Sequence, residues 1–147
     1  MTVQFIDTHA DLVSFCHRIS DSEWMTVDTE FLREKTYYSK LCLIQVATDD
    51  EIACIDPLAI DDLNPILDLI YNPEITAVFH AARQDLELFY TLRGNLPPTI
   101  FDSQLAATIL GYGDQIGYGN LVKQCIGVEL DKAHSRTDWT KRPLDPG

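Results

Sequence analysis

Apolar residues follow two different spacings along the chain, and each spacing predicts a type of secondary structure. From Leu12 to Ile19 they recur at helical intervals, and Thr8 precedes them, so the pattern predicts a helix over about 9–20. The segment 24–31 is rich in β-forming and aromatic residues and predicts a strand. The chain therefore begins with a predicted helix and a predicted strand.

Two further apolar runs predict a β-hairpin. The runs are 41–48 and 51–55, and they are separated by Asp49 and Asp50. Together with 24–31 they form three consecutive strands, for which an antiparallel meander is the simplest arrangement. These three strands are the predicted leading part of the sheet.

After the hairpin the pattern changes to alternating strands and helices. Asp102 and Asn120 each precede an apolar helical pattern and are candidate helix starts. The predicted elements are a helix at about 63–70, a strand at 75–79 and helices at about 81–92, 103–110 and 121–126. Three leading antiparallel strands followed by this alternation predict an α/β fold with a mixed sheet and helices packed on it, although the pattern alone allows several α/β folds.

The composition favours a single domain and adds a constraint on partners. At 147 residues and 46% hydrophobic, the chain can bury one substantial core. A net charge of -12 is unusual for a nucleic-acid-binding protein, because affinity for phosphates comes largely from lysine and arginine. Basic residues concentrate in 121–147, which holds five of the 11. If a protein this acidic binds nucleic acid, it needs extra positive charge, either from divalent cations or from a further basic segment.

Membrane association and structural zinc are not predicted. The longest apolar runs, such as 41–47, are too short to cross a bilayer, and no leader pattern follows Met1, so we expect a soluble cytoplasmic protein. The cysteines have neither CxxC nor zinc-ligand spacing, and we expect buried thiols in a reducing compartment. They are Cys16, Cys42, Cys54 and Cys125.

Two acidic residues lie within the otherwise apolar strand at 24–31. Because side chains alternate across a strand, Asp28 and Glu30 point to the same face. Two adjacent carboxylates raise each other's cost of ionisation, and a divalent cation between them removes that cost. The pair therefore indicates a metal site, and the alternative is a solvated pair on an exposed sheet face.

A third acid, Asp85, falls on the apolar stripe of the helix predicted at 81–92, together with Leu88 and Leu92. Burying an isolated carboxylate is expensive, whereas a carboxylate that binds a metal has its charge balanced. The alternative for Asp85 is a position at the rim of the stripe, open to water. Glu87 falls off the stripe, and we expect it to be solvated.

Five short motifs occur in order along the chain. They are Val-Asp-Thr-Glu-Phe at 27–31, Leu-Ile-Gln-Val at 43–46, Phe-His-Ala through Gln-Asp at 79–85, Phe-Asp-Ser-Gln at 101–104 and Ser-Arg-Thr-Asp-Trp-Thr-Lys-Arg-Pro-Leu at 135–144. Over roughly 20–144, this succession resembles the exonuclease domain of the ribonuclease D family. Any one of the motifs is weak evidence, but the ordered set is specific.

The resemblance implies an RNase H-like fold and a DEDD-type 3′–5′ exoribonuclease that processes the single-stranded 3′ ends of transfer RNA precursors and other stable RNA. In this family four carboxylates hold two divalent ions, Mg²⁺ or Mn²⁺, for a two-metal hydrolysis of the phosphodiester bond. Asp28 and Glu30 match the first motif and Asp85 the second, so the resemblance implies that these three are catalytic metal ligands.

The family's third motif, Tyr-x-x-x-Asp, does not occur in these 147 residues, since no tyrosine has an aspartate four positions later. The pair His80 and Asp85 has the spacing used by a sister branch, but Asp85 already matches the second motif. His134 and Asp138 belong to the motif at 135–144 and its immediate surroundings. Neither pair supplies the missing ligand.

We therefore expect 1–147 to be a single, C-terminally incomplete exonuclease domain without an HRDC domain. Its metal binding is predicted to be weakened, with little or no activity, and self-association through apolar surface exposed by the truncation is a further expectation. The alternatives are a catalytically inactive RNA-binding or subunit-interaction module of the same fold, and an α/β domain whose acids only decorate the surface.

Residues beside the predicted ligands are candidates for contact with the terminal nucleotide through backbone, stacking or hydrogen bonds. They are Thr29, Phe31, His80 and Gln84. No nucleotide cofactor is predicted, because the glycine-rich segment 111–119 has Ile116 where a dinucleotide-binding loop needs its third glycine; we expect a flexible connection there.

Two further sets of residues have structural interpretations. Asp102 is predicted to cap the helix that follows it. For Arg136, Lys141 and Arg142 we predict a solvated surface, and contact with RNA phosphates is the alternative.

Overall fold

A six-stranded sheet forms the centre of the protein in the computed structural model, which describes residues 1–33, 37–130 and 137–144. The strands are β1 (Val3–Ile6), β2 (Trp24–Leu32), β3 (Lys40–Ala47), β4 (Ile52–Ile55), β5 (Thr76–Phe79) and β6 (Ile100–Asp102). The helices are α1 (His9–Ile19), α2 (Asn64–Ile70), α3 (Arg83–Arg93), α4 (Ser103–Ile109) and α5 (Tyr118–Ile126).

The order of the strands in the sheet is β1-β4-β3-β2-β5-β6. The neighbours β2, β3 and β4 pair antiparallel, whereas β1 with β4, β2 with β5, and β5 with β6 pair parallel. The antiparallel meander, the mixed sheet and the later alternation of strands and helices are thereby confirmed.

Sequence patterns missed two short strands at the edges of the sheet. β1 precedes the meander, so the three antiparallel strands are not the first strands of the chain, and this detail of the predicted fold was wrong. β1 has only four residues; Val3 and Phe5 are exposed, whereas Ile6 on the other face is buried, so its apolar positions do not mark one buried face. β6 has only three residues, which is too few to establish a period.

Two helix starts also differ from the prediction. Ala81 has a left-handed backbone with φ of 57°, which an α-helix cannot include, so α3 begins at Arg83. In the other case α5 begins at Tyr118 with Gly117 as its N-cap, and Asn120 lies inside the helix. The segment before it turns at Gly111 and Gly113, both with positive φ, and is a connection as predicted.

The core combines one face of α1 with the sheet. Thr8 caps α1 by accepting a hydrogen bond from the Asp11 N–H at 3.2 Å, which fixes where the helix begins. Leu12 and Phe15 are then fully buried and pack in one cluster with Ile66 of α2. Burial of side chains of this size contributes about 1.5–3 kcal/mol each. The predicted helical stripe is therefore the stripe that closes the core.

All four cysteines are free, but they are not all buried. Cys16 and Cys42 are buried and Cys54 is half-buried, whereas Cys125 is exposed, so the prediction was wrong for Cys125. It lies on α5, which has no buried residue. Among the described residues, the structure contains no helix with the length and apolar character needed to span a membrane.

The second arginine of the motif at 135–144, Arg142, is not a solvated side chain. Arg142 donates to both carboxylate oxygens of the buried Asp56, at 2.7 and 2.6 Å, and to the Cys42 carbonyl at 2.8 Å. The prediction of a solvated Arg142 was therefore wrong. Lys141 is exposed as predicted and lies 3.9 Å from Asp138.

Arg136 and His134 lie outside the described residues.

Candidate metal and nuclease site

The second half of β2 carries the two acids. β5 pairs with β2 only through Trp24–Thr26, while β3 pairs with it from Thr26 to Leu32, so the β5 side of the later residues is open to another element. Asp28 is exposed and Glu30 half-buried on one face, and Thr29 between them is 6% exposed. The alternation expected of a strand is thereby observed.

Asp85 reaches this open edge from the first turn of α3. Its side chain is only 7% exposed, and its Oδ1 accepts a hydrogen bond from the Thr29 hydroxyl at 2.5 Å. Leu88 and Phe89 are buried on the same helix, whereas Leu92, predicted to share the stripe, is exposed. Asp85 is thus a buried carboxylate on the core side of α3, attached directly to β2.

The three carboxylates affect one another electrostatically. Burial, followed by the charges of Asp28 and Asp85, raises the pKa of Glu30 to about 7. Burial also raises the pKa of Asp85 to about 6 against the Thr29 hydrogen bond, with Asp28 adding to the rise. The pKa of Asp28 is raised by burial and partly lowered by the Thr29 backbone and by His80. The structure therefore places the three predicted ligands within electrostatic range of one another.

The chemistry of this group fits a hard divalent cation. Carboxylate oxygens are the donors that Mg²⁺ and Mn²⁺ prefer, and a cation would balance the charges whose burial and mutual repulsion raise the pKa values of Glu30 and Asp85. Within 1–33, 37–130 and 137–144, however, no three His, Cys, Asp or Glu side chains form a ready metal-binding cluster. The carboxylates are close enough to interact, and ligation requires them to come closer.

Asp102 does more than cap a helix. It accepts from the Gln104 N–H at 2.8 Å as the predicted N-cap of α4, and also from the N–H groups of Ala81 at 3.1 Å and Ala82 at 2.9 Å. Burial opposes ionisation, but the backbone donors keep the pKa of Asp102 below its ordinary value. Asp102 thereby holds the left-handed turn that leads into α3 and to Asp85. Its place in the motif at 101–104 was the only signal in the sequence.

His80 is held by the α4 and α5 region. Its Nδ1 lies 2.9 Å from Ser103 Oγ, and its Nε2 lies 2.9 Å from the Ile116 carbonyl. Because a carbonyl only accepts, Nε2 carries a proton. Tyr118 packs edge-on against the ring at 5.5 Å between centroids. Contact between His80 and a nucleotide remains a prediction.

Two of the other predicted nucleotide contacts line a groove, and the third faces Asp85. Phe31 and Gln84 line a groove of about 1640 Å³ between the end of β2 and the outer side of α3. Thr29 faces Asp85. Contacts of Thr29, Phe31 and Gln84 with a nucleotide also remain predictions.

Comparison with known proteins decides the family. A family model described as 3′–5′ exonuclease matches residues 3–145. The chain belongs to this 3′–5′ exonuclease family. Ribonuclease D of Sphingobium indicum is 54% identical over 136 residues, which cover 91% of this chain and 35% of that protein. The exonuclease chain thus spans about a third of the length of the curated relatives it matches.

Solved exonuclease structures have the same fold. Escherichia coli RNase D, described as an exoribonuclease involved in structured RNA processing, has a TM-score of 0.94 at 40% identity, covering 99% of this chain and 39% of that one. Trypanosoma brucei RNase D, solved with RNA U12, has a TM-score of 0.84 at 20% identity, covering 98% and 55%, and shows the fold alone. The predicted family and RNase H-like α/β architecture are therefore confirmed.

Proposed function

We propose that this chain provides the nuclease site of a ribonuclease D-type 3′–5′ exoribonuclease. The reaction is hydrolysis of the last phosphodiester bond of single-stranded RNA, with transfer RNA precursors and other stable RNAs as substrates in the cytoplasm. The observation that supports it is the convergence of Asp28, Glu30 and Asp85 in a chain of the 3′–5′ exonuclease family. The free cysteines agree with a reducing compartment.

In this proposal Asp28, Glu30 and Asp85 hold two divalent ions, Mg²⁺ or Mn²⁺. When bound, these ions supply a water nucleophile and stabilise charge on the leaving oxygen. Thr29 fixes the orientation of Asp85 through its hydroxyl. Asp28 and Glu30 are presented on the same face of a strand, so their spacing is set by the backbone.

Four neighbouring residues would position the terminal nucleotide. Phe31 offers a half-buried ring for stacking, and Gln84 offers an exposed amide beside Asp85. Thr29 would contribute its backbone, and His80, which is half-buried, its ring. Holding the 3′ end in this way would place the scissile phosphate at the carboxylates.

The 147 residues by themselves contain three of the four expected carboxylates. We propose that this chain alone binds metal weakly and hydrolyses RNA slowly, because a ligand and the tyrosine that orients the water are not among its residues. The alternative function, an inactive RNA-binding or subunit-interaction module of the same fold, is favoured by the same observation.

In addition to binding RNA, the chain is proposed to self-associate. Large apolar side chains are exposed along α4 and α5: Leu105 is 64% exposed, Ile109 85%, Leu110 74% and Ile126 70%. Large apolar side chains left exposed in this way favour association. Sedimentation velocity over a range of concentrations tests this: a constant monomer would contradict it.

Thermal unfolding in a manganese titration tests the site. Mn²⁺ should raise the unfolding temperature of the native chain, and Asp28→Asn should abolish the rise. Asp114→Asn, on an exposed connection, is the matched control and should respond like the native chain. A rise that survives Asp28→Asn would mean that the acids are not the site.

Activity separates the two functions. The protein is incubated with Mn²⁺ and 5′-labelled single-stranded RNA, and products shortened from the 3′ end are resolved on a gel. Slow, metal-dependent shortening that Asp28→Asn removes supports the exoribonuclease. RNA binding without any shortening, in a chain that Mn²⁺ stabilises, supports the inactive module.

A further inference from the structure

The pairing of β2 with β3 changes register directly at Glu30. Glu30 pairs with Leu43. The next residue, Phe31, pairs with Leu41, so Cys42 is an extra residue in β3. An extra residue of this kind has no partner in the ladder, and it bends the strand and increases the local twist. The bulge therefore lies beside the second carboxylate of the acidic strand, where a change in twist alters the direction of that side chain.

Cys42 is held through its side chain and through its backbone. It is fully buried, and its carbonyl accepts a hydrogen bond from Nη2 of Arg142 at 2.8 Å. Burial raises the pKa of the Cys42 thiol, and a hydrogen bond from the Leu32 backbone opposes that rise. The bulge residue thus contacts the end of β2 with its thiol and the motif at 135–144 with its carbonyl.

The Arg142 guanidinium has all five of its N–H groups occupied. Its Nε and Nη2 donate to the two carboxylate oxygens of Asp56, and the second N–H of Nη2 donates to Cys42. Its Nη1 donates to the carbonyls of Trp139 and Lys141, each at 2.9 Å. Because the guanidinium is planar and its donors have a fixed geometry, these partners determine its position.

Asp56 connects this guanidinium to the sheet. It follows Ile55, the last residue of β4, which is paired with β3. Its backbone N–H donates to the Ile6 carbonyl at 2.8 Å, and its carboxylate accepts from the Leu58 N–H at 2.9 Å. Arg142 therefore joins a fixed point at the end of β4 to the bulge in β3.

We propose that Arg142 is a positioning residue for Glu30. It holds the carbonyl of Cys42 at a fixed place relative to Asp56, which keeps the bulge in one geometry. The bulge in turn sets the direction of the Glu30 carboxylate, so Arg142 acts on the metal site through the backbone of β3. This inference rests on the proposed function, since it concerns the orientation of one ligand of the same site.

The hydrogen bond to Cys42 distinguishes positioning from a purely stabilising role. If Arg142 only balances the charge of Asp56, replacing both side chains by apolar ones should leave the metal site unchanged, because no buried charge remains unpaired. If Arg142 also fixes the bulge, the same replacement removes the donor to the Cys42 carbonyl and releases the bulge. The double variant Asp56→Leu with Arg142→Met therefore separates the two roles.

The affinity for Mn²⁺ is the first measurement, with the free ion followed by electron paramagnetic resonance and the fold of each variant checked by circular dichroism. Groups that orient a ligand without touching the metal change metal affinity by about 10- to 100-fold. Because Arg142 acts through the backbone, the double variant should bind Mn²⁺ about tenfold more weakly than the native chain. Arg142→Lys should fall between the two, because lysine keeps the charge and loses the planar fork.

Amide NMR shifts without metal are the second measurement. In the double variant the amide signals of Glu30, Phe31 and Cys42 should move, because the bulge changes geometry. The signals of Val27 and Val46, which pair with each other before the bulge, should stay in place. Unchanged signals at the bulge would overturn the inference.

Two controls account for lost stability and lost charge. Ile70→Ala removes a fully buried side chain from α2, and Lys141→Ala removes the exposed charge next to Arg142. Both should bind Mn²⁺ like the native chain. If the double variant binds Mn²⁺ no more weakly than Ile70→Ala, the inference is wrong and the metal site stands. If the native chain binds no Mn²⁺, or Asp28→Asn binds it equally well, the proposed function fails and this inference fails with it.

Discussion

The hydroxyl of Thr29 donates a 2.5 Å hydrogen bond to Oδ1 of Asp85, 56 positions away in the sequence. This contact joins the acid-bearing strand to the helix that carries the third acid. The donor stabilises the ionised carboxylate of Asp85 and opposes the effect of burial on its pKa. The buried threonine is therefore a positioning residue for the carboxylate group.

Thr29→Val should weaken the protein in a pH-dependent way. The substitution keeps the shape but removes the donor, so it should cost about 1–3 kcal/mol above pH 6, where Asp85 is ionised, and less at lower pH. Urea unfolding at several pH values measures this. Thr29→Ser should restore most of the stability. Thr26→Val, at an exposed position of the same strand, is the control, and an equal loss there would contradict the assignment.

Glu30→Gln should change how stability depends on pH. The pKa of Glu30 in the folded chain is about 7 against an ordinary value of 4.5, so the folded state binds the proton more tightly. Its ionisation therefore lowers the free energy of unfolding as pH rises from about 4.5 to 7, by on the order of 2 kcal/mol.

The glutamine variant should accordingly be more stable than the native chain at pH 8 and similar to it at pH 4. Urea unfolding across this range is the measurement, with Glu23→Gln, an exposed position, as the control. Saturating Mn²⁺ should remove the native chain's loss of stability at high pH. If the free energy of unfolding depends on pH in the same way in the native chain and in Glu30→Gln, the pKa of Glu30 is not raised by its surroundings.

Asp102→Ala should loosen the turn before α3. It removes the acceptor for three backbone N–H groups, of Ala81, Ala82 and Gln104, and should cost about 2–3 kcal/mol. Because that turn places Asp85, the stabilisation by Mn²⁺ should fall as well. Asp61→Ala, at an exposed site, should do neither. A loss of stability with an unchanged response to Mn²⁺ would limit Asp102 to capping.

Breaking the pair of Arg142 and Asp56 should be severe. Asp56 is 3% exposed, and the Arg142 hydrogen bonds hold its pKa below the ordinary range. Removing either partner leaves a buried charge alone and should cost about 3–5 kcal/mol by urea unfolding. Arg142→Lys should recover only part of this, because lysine cannot bind both carboxylate oxygens and the Cys42 carbonyl as a planar fork does.

The control for this pair is Lys141→Ala, next to Arg142 but exposed, which should change stability by less than about 0.5 kcal/mol. The double variant Asp56→Leu with Arg142→Met should lose less than the sum of the single changes, since no charge is left unpaired. Additive losses would show that the two side chains act independently.

Most of the fold could be predicted because it follows local periods. Because side chains alternate along 24–31, Asp28 and Glu30 must share a face. The helical spacing after Thr8 likewise places Leu12 on the apolar face of α1 that packs in the core. The prediction failed where an element is too short to show a period, as in β6. It also failed where one residue has a non-helical backbone, as Ala81 has before α3.

The sequence by itself determined the family and the order of the main elements and named three candidate acids, because those features depend on residue types at near and regular spacing. Tertiary structure alone decided that Thr29 holds Asp85 and that Arg142 is buried against Asp56, 86 positions away. The physical reason is that a hydrogen bond or ion pair depends on where two distant segments meet in space. The local sequence of either segment does not indicate which distant residue its side chain will contact.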